Sequence, residues 1–252
     1  MPEKTISSTA LKDVPVSSWE KLSQKKIFFG HQSVGFNIMD GIKDLMKENP
    51  QIKPNIVETD DPSEFNRPLF AHARVGKNKD PFSKIDAFAD FMEKGIGNKA
   101  DIAFFKFCYV DIGAETDVDK VFEYYKKVLS ELKVKYPGTT FVHVTVPLNS
   151  LQSGIKAFVK KIIGRPISGY DDNIKRSQFN ELLRKEYDGK APIFDLAKTE
   201  STLPDGKRSS FSKDGKNYYF MVPDYTHDGG HLNEPGRKRA AEELLVVLTA
   251  KM

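Results

Sequence analysis

Cysteine is nearly absent from this chain. Cys108 stands alone, so no intrachain disulfide framework exists and a single thiol leaves the redox compartment open. Long hydrophobic runs are missing too: nothing approaches the roughly 18 apolar residues that a membrane span needs. Met1 to Val16 is polar and rich in Ser and Thr, without the apolar core of a signal peptide. That start fits a cytoplasmic protein. An exported one (periplasmic or secreted) reads the same after its signal is removed, so localisation stays open. Charge of one sign is scarce as well, with 39 Lys and Arg against 35 Asp and Glu for a net +4. Many of these basic residues are interleaved with acids, as from Asp117 to Lys135, which argues against a nucleic-acid footprint.

The 252 residues, 39% of them hydrophobic and 29% charged, suit one large domain or two small ones. An α/β domain of this size buries roughly 70–75% of its unfolded surface and needs no staples. Short β-rich runs alternate with longer helical ones. A short helix is expected at Ser18–Gln24, a strand at Lys26–Gly30, and a helix at Val34–Lys47 with Phe36, Ile38, Met39, Ile42, Leu45 and Met46 on or near one face. Ile52–Glu58 reads as a second strand, and 60–80, rich in Pro, Asp, Asn and Gly, as a long loop. Pro81 opens a helix to about Lys94. The almost wholly apolar Asp101–Cys108 is a third, central strand. A helix from Val118 to Tyr136, a strand at Thr139–Val146, a helix at Lys175–Tyr187 and a strand at Ala191–Leu196 follow, and Asn233 caps a last helix to about Leu248.

Five strands separated by helices predict right-handed crossovers, a mostly parallel sheet and helices on both faces. No internal repeat and no dividing linker is visible, so residues 25–252 read as one domain behind a polar leader and short helix at 1–24. Sites in such sheets form in loops beyond the carboxyl ends of the strands.

Two motifs at opposite ends of the chain carry chemistry. Asp228-Gly229-Gly230-His231-Leu232-Asn233 sets an acid and an imidazole three residues apart on a Gly-rich turn opening a helix. Such a turn can present His231 as general base and Asp228 as the group that orients it. Gly30-His31-Gln32-Ser33-Val34-Gly35 sets a hydroxyl where a strand turns into a helix, whose N-terminal N–H groups favour developing negative charge. Each has a plainer reading: Ser33 as a helix cap, and Asp-Gly-Gly as a structural turn. A metal reading, with His227, His231 and either His31 or His72, lacks a supporting ligand spacing.

Ser33, Asp228 and His231 in this order resemble the SGNH/GDSL-type hydrolases. The resemblance implies a flavodoxin-like, three-layer αβα sandwich with a five-stranded, mostly parallel sheet. It implies Ser33 as nucleophile, His231 as base and Asp228 as acid, with the Ser33 and Gly76 backbone N–H groups as oxyanion donors and no metal or cofactor. It covers roughly residues 25–250, and its last block is the specific one. The Gly-Asp that precedes the family serine is His31-Gln32 here, and Val110 stands where the family's oxyanion asparagine falls. Gln32, Asn78 and Tyr109 are candidates to substitute and to contact substrate.

Lys106, inside Phe104-Phe105-Lys106-Phe107, is expected to have a carboxylate partner or to sit at the strand's open end, with substrate contact as the alternative. His143 and Cys108 read as buried core residues. Residues 154–165, apolar and basic by turns, read equally as a lid or a surface helix. Two turn signals at 204–206 and 213–215 predict a hairpin whose aromatics pack it down or line a cleft. The reading favoured overall is a serine esterase for small acyl esters, including O-acetyl groups on carbohydrate. A binding module of the same fold with lost or weakened turnover is the second reading, and a metal-dependent hydrolase the third. The partner is a small-molecule or carbohydrate ester, with no nucleic acid and no membrane span, and the oligomeric state is open.

Overall fold

The computed structural model describes residues 11–151 and 169–250. Helices α1 (Val16–Ser23), α2 (Val34–Glu48), α3 (Pro81–Phe91), α4 (Val118–Lys135), α5 (Tyr170–Tyr187), α6 (Leu196–Ser201) and α7 (Glu234–Thr249) alternate with β1 (Lys26–His31), β2 (Ile56–Glu58), β3 (Leu69–Arg74), β4 (Ile102–Phe105), β5 (Thr140–Phe141), β6 (His143–Val144) and β7 (Ile193–Phe194). A hairpin of β8 (Ser210–Lys213) and β9 (Lys216–Tyr219) follows α6, as the turn signals predict. Five strands form one parallel sheet in the order β2-β3-β1-β4-β5, and β6 pairs in parallel with β7. The fold is a three-layer α/β sandwich of flavodoxin-like type.

The pleat divides the sheet's side chains between two cores. Ile27 and Phe29 of β1, Phe70 of β3, and Ile102 and Phe104 of β4 face α1, α2, α6 and α7. Phe28, Leu69, Ala71, Ala73, Ala103 and Phe105 face the other way, toward α3, α4 and α5. Successive strand residues point to opposite faces, and both faces are covered, so β1, β3 and β4 are buried almost throughout. Leu11, Trp19 and Leu22, from the first described stretch, pack into the first of these cores.

The structure departs from the sequence reading chiefly between 52 and 80. The expected loop over 60–80 contains a 3-10 turn at Pro62–Asn66 and strand β3, which pairs with β1 from Lys26–Leu69 to His31–Arg74. A strand buried on both faces shows no polar alternation, and the Pro- and Asn-rich lead-in hid it. The expected second strand shrinks to Ile56–Glu58, since Pro54 has no N–H to give a ladder. α3 ends at Phe91 and continues as a π turn over Met92–Ile96. The segment expected at 154–165 lies outside the described residues. No helix among the described residues is long and apolar enough to cross a membrane.

Candidate active site

β1 is flanked by β3 on one side and β4 on the other, so the strand order changes direction at β1. A crevice opens beyond the carboxyl end of a strand at such a point. Ser33 stands there, at φ +53° and ψ −114°, a conformation L-residues seldom adopt. Holding it costs about 1–3 kcal/mol, supplied by surrounding structure. The supports are backbone bonds on both sides: Val75 N–H to His31 O at 3.2 Å, Lys106 N–H to Gly30 O at 3.1 Å, and Phe36 N–H to Ser33 O at 2.9 Å. Ser33 occupies the cap position of α2 yet caps nothing with its side chain. Its Oγ lies 2.6 Å from His231 Nε2 instead.

His231 and Asp228 come from the turn before α7, whose N-cap Asn233 accepts the Gly236 N–H at 3.1 Å. Asp228 Oδ2 lies 2.6 Å from His231 Nδ1, and its Oδ1 accepts the backbone N–H groups of Gly230 (2.9 Å) and His231 (2.8 Å). Partial burial pushes this carboxyl upward, but the bonds from the His231 ring and from these N–H groups prevail and hold it well below the usual carboxylate range. An ionised Asp228 fixes the proton on Nδ1, so Nε2 offers its lone pair to the Ser33 hydroxyl. Side-chain exposures of 55% for Asp228 and 45% for His231 leave the pair open to a ligand.

Gly76 lies in the loop after β3 at φ +55°, and a Cβ there would come within 2.6 Å of the Lys84 backbone. Only glycine fits this turn. Gln32, the residue before the serine, spends its amide on Val75 O (2.9 Å) and Gly76 O (2.6 Å), which ties the Gly76 loop to the serine turn. Among the described residues no acceptor takes the N–H of Ser33 or Gly76. Asn78, exposed in the same loop, turns its Oδ1 to the Lys84 ammonium at 3.0 Å.

Beneath this loop is a sealed cluster of charge. Lys84 and Asp111, both with fully buried side chains, pair at 2.8 Å. Asp111 also accepts the N–H of Lys79 (2.8 Å) and of Cys108 (2.6 Å). Cys108 is not a passive apolar filler: its sulfur lies 3.1 Å from Lys84 Nζ. Lys106 needs correction. Its amine is buried rather than at the open end of the strand, with no carboxylate within ion-pair distance among the described residues. It donates to Phe107 O at 3.1 Å, and burial, partly offset by Cys108, draws its pKa below the ordinary lysine value. Sealed in this way, it does not reach the crevice.

A second network supports the turn that carries Asp228 and His231, and sequence reasoning missed it. Arg176 on α5 gives Nη1 to Asn149 Oδ1 at 2.5 Å and Nε to Tyr109 O at 2.8 Å. Asn149 passes the support on, its amide donating to Gly229 O at 3.0 Å. Tyr109 packs edge-on to His231 (centroids 5.8 Å apart) and against Gly230, where a Cβ would lie 2.6 Å from its ring. Burial, then the nearby Asp228 charge, raises the Tyr109 phenol above its ordinary value. Glu200, fully buried nearby, accepts the Leu148 N–H at 2.7 Å, and burial lifts its carboxyl to about 8. For the buried Lys84–Asp111 cluster a signal existed: Lys84 sits four residues before buried Phe88, on the apolar stripe of α3.

His31 and His72 do not join His231. Both are buried, 3.0 Å apart between Nε2 and Nδ1, and burial reinforced by Lys106 holds His31 far below the usual imidazole range. His143 is buried on β6, its Nδ1 2.7 Å from the Tyr125 hydroxyl oxygen. Among the described residues, no three His, Cys, Asp or Glu side chains gather as a metal-holding group.

Solved structures share this architecture. A GDSL-like lipase from Bacteroides thetaiotaomicron superposes with a TM-score of 0.54 at 12% identity, over 92% of this chain and 91% of its own. A candidate GDSL-like lipase from Parabacteroides merdae gives 0.52 at 13% identity, over 92% and 99%. A candidate lipolytic protein of the G-D-S-L family from Desulfitobacterium hafniense gives 0.50 at 10% identity, over 88% and 99%. The chain has the SGNH/GDSL-type hydrolase fold. No protein-family model matches its sequence, and no curated protein does. Within the SGNH-type fold of this chain, the turn after β1 and the turn before α7 meet at one serine–histidine contact.

Proposed function

We propose that the chain is a serine ester hydrolase working by acyl transfer. The 2.6 Å contact between Ser33 Oγ and His231 Nε2 carries this reading, with Asp228 aligned behind the imidazole. Ser33 Oγ attacks the ester carbonyl carbon as His231 Nε2 takes its proton. The N–H groups of Ser33 and Gly76 receive the oxyanion, and the helix start at α2 adds its positive end. Collapse expels the alcohol, which leaves with the proton from His231, and Ser33 holds the acyl group. A water that gives its proton to Nε2 then releases the acid and restores the serine. No step calls on a metal or a cofactor. The open side of Asp228 and His231 suits small acyl esters, including O-acetyl groups on carbohydrate.

Hydrolysis of a short-chain nitrophenyl ester by the full chain tests this. Ser33→Ala and His231→Ala are each expected to lose about 10⁴-fold or more in kcat. A serine-directed phosphonate is expected to leave its mass on the peptide containing Ser33. Equal rates in all three proteins, or no adduct on Ser33, sinks the assignment and leaves the same fold as a ligand-binding module, the reading that Val110 in place of a side-chain donor favours.

A further inference from the structure

In the esterase reading the Ser33 turn and the Gly76 loop each supply one backbone donor to an oxyanion, and Val110 supplies none from its side chain. Of the amides near the turn, Gln32 is already committed to Val75 O and Gly76 O, and Asn149 to Gly229 O on the His231 side. Asn37 accepts the Leu232 N–H with its oxygen and belongs to the support of the acid–base turn. Asn78 differs. Its Oδ1 accepts from Lys84 Nζ at 3.0 Å, and an ammonium only donates, so the amide cannot be the other way round. Its NH₂ faces away from Lys84 and has no acceptor among the described residues.

Lys84 is built for this orienting task. Its three N–H bonds have three acceptors: Asp111 Oδ2 at 2.8 Å, Asn78 Oδ1 at 3.0 Å and Cys108 Sγ at 3.1 Å. Its charge is met by Asp111, so Lys84 has no proton left for a ligand. The anchor also lies close under the serine turn, because Cys108 Sγ is 3.7 Å from the Gln32 carbonyl oxygen that precedes Ser33. Asp111 holds the loop from below through Lys79 N–H at 2.8 Å. One buried ion pair thus fixes both where the 76–80 loop lies and which end of the Asn78 amide is presented.

We propose that the Asn78 side-chain amide is the side-chain donor to the oxyanion, with Lys84 as the positioning residue that aims it. This rests on the esterase reading above. It gives the site a side-chain donor without an asparagine at position 110, beside the backbone N–H groups of the Ser33 turn and the Gly76 loop.

The test uses the full chain and a short-chain nitrophenyl ester. Asn78→Ala removes one acceptor of the buried Lys84 ammonium, so its melting temperature is expected to fall by several degrees while the chain stays folded. Its kcat is expected to fall about 10²–10³-fold, with KM changed only a few-fold. Asn78→Asp, which cannot donate and repels the oxyanion, is expected to be at least as slow. The labelling rate of Ser33 by a nitrophenyl phosphonate is expected to fall in both. Lys84→Met is expected to slow the wild type by a similar factor and to add little on top of Asn78→Ala, because it acts through that amide. Should Lys84→Met fail to fold, the Asn78 variants decide alone. Asn78→Ala within about 3-fold of wild-type kcat, with Ser33→Ala inactive, overturns this inference and spares the esterase reading. Turnover indifferent to Ser33→Ala removes both.

Discussion

The two halves of the site are held in opposite ways. The serine half is strained and sealed: Ser33 at positive φ, a Gly76 turn no other residue fits, and the fully buried Lys84–Asp111 pair beneath them. The half that carries Asp228 and His231 is open: both are about half exposed, and a buried guanidinium and a neutral amide reach them indirectly, through the Gly229 carbonyl and the Tyr109 ring. Two carboxylates, Asp111 and Asp228, therefore have different work. One anchors architecture in a low-dielectric interior, where an unpaired charge is costly. The other aligns an imidazole in contact with water, where an ion pair contributes little to stability.

The sharpest way to break this contrast is to neutralise each carboxylate. Asp228→Asn is expected to lower esterase kcat by about 10⁴-fold while moving the urea midpoint little. Asp111→Asn leaves Lys84 charged and buried, and is expected to cost about 3–5 kcal/mol in urea melts. If both variants lose activity and stability in the same proportion, the halves are not distinct. Asn149→Ala should fall between them. It strips Arg176 of an acceptor and Gly229 O of a donor, costing about 1–3 kcal/mol and lowering kcat more than it changes KM.

The last effect, a slope with pH rather than a loss of activity, concerns Glu200. Its folded carboxyl keeps a proton up to about 8, whereas the unfolded one releases it near 4.5. The folded state therefore binds the extra proton across that window. The associated stability is full below the lower value and is lost as the pH rises through the upper one. Glu200→Gln cannot ionise, so its melting temperature relative to wild type is expected to climb between about pH 5 and about pH 9. Each 1 kcal/mol corresponds to roughly 2–4 °C at this chain length. A difference that stays flat with pH rejects the assignment of that slope to Glu200.

The sequence made some of this legible. Ser33, Asp228 and His231 were readable because two short motifs hold them and chain order relates those motifs. The Gly76 turn was readable as a loop feature, although the strand before it was not: Leu69 to Ala73 is buried on both sides and shows no period. Lys84 reaches Cys108 across 24 residues of chain, Arg176 reaches Tyr109 across 67 and Asn149 reaches Gly229 across 80, so no local spacing announces these contacts. Lys106 shows the same limit. A lysine in an apolar run calls for a partner, and what it finds here is a backbone carbonyl.

The Ser33 backbone also limits how the position can change. At φ +53° a side chain branched at Cβ meets its own carbonyl, so threonine is disfavoured where serine and cysteine share a shape that fits. Evolution or an engineer can exchange the γ atom here far more freely than the carbon that bears it.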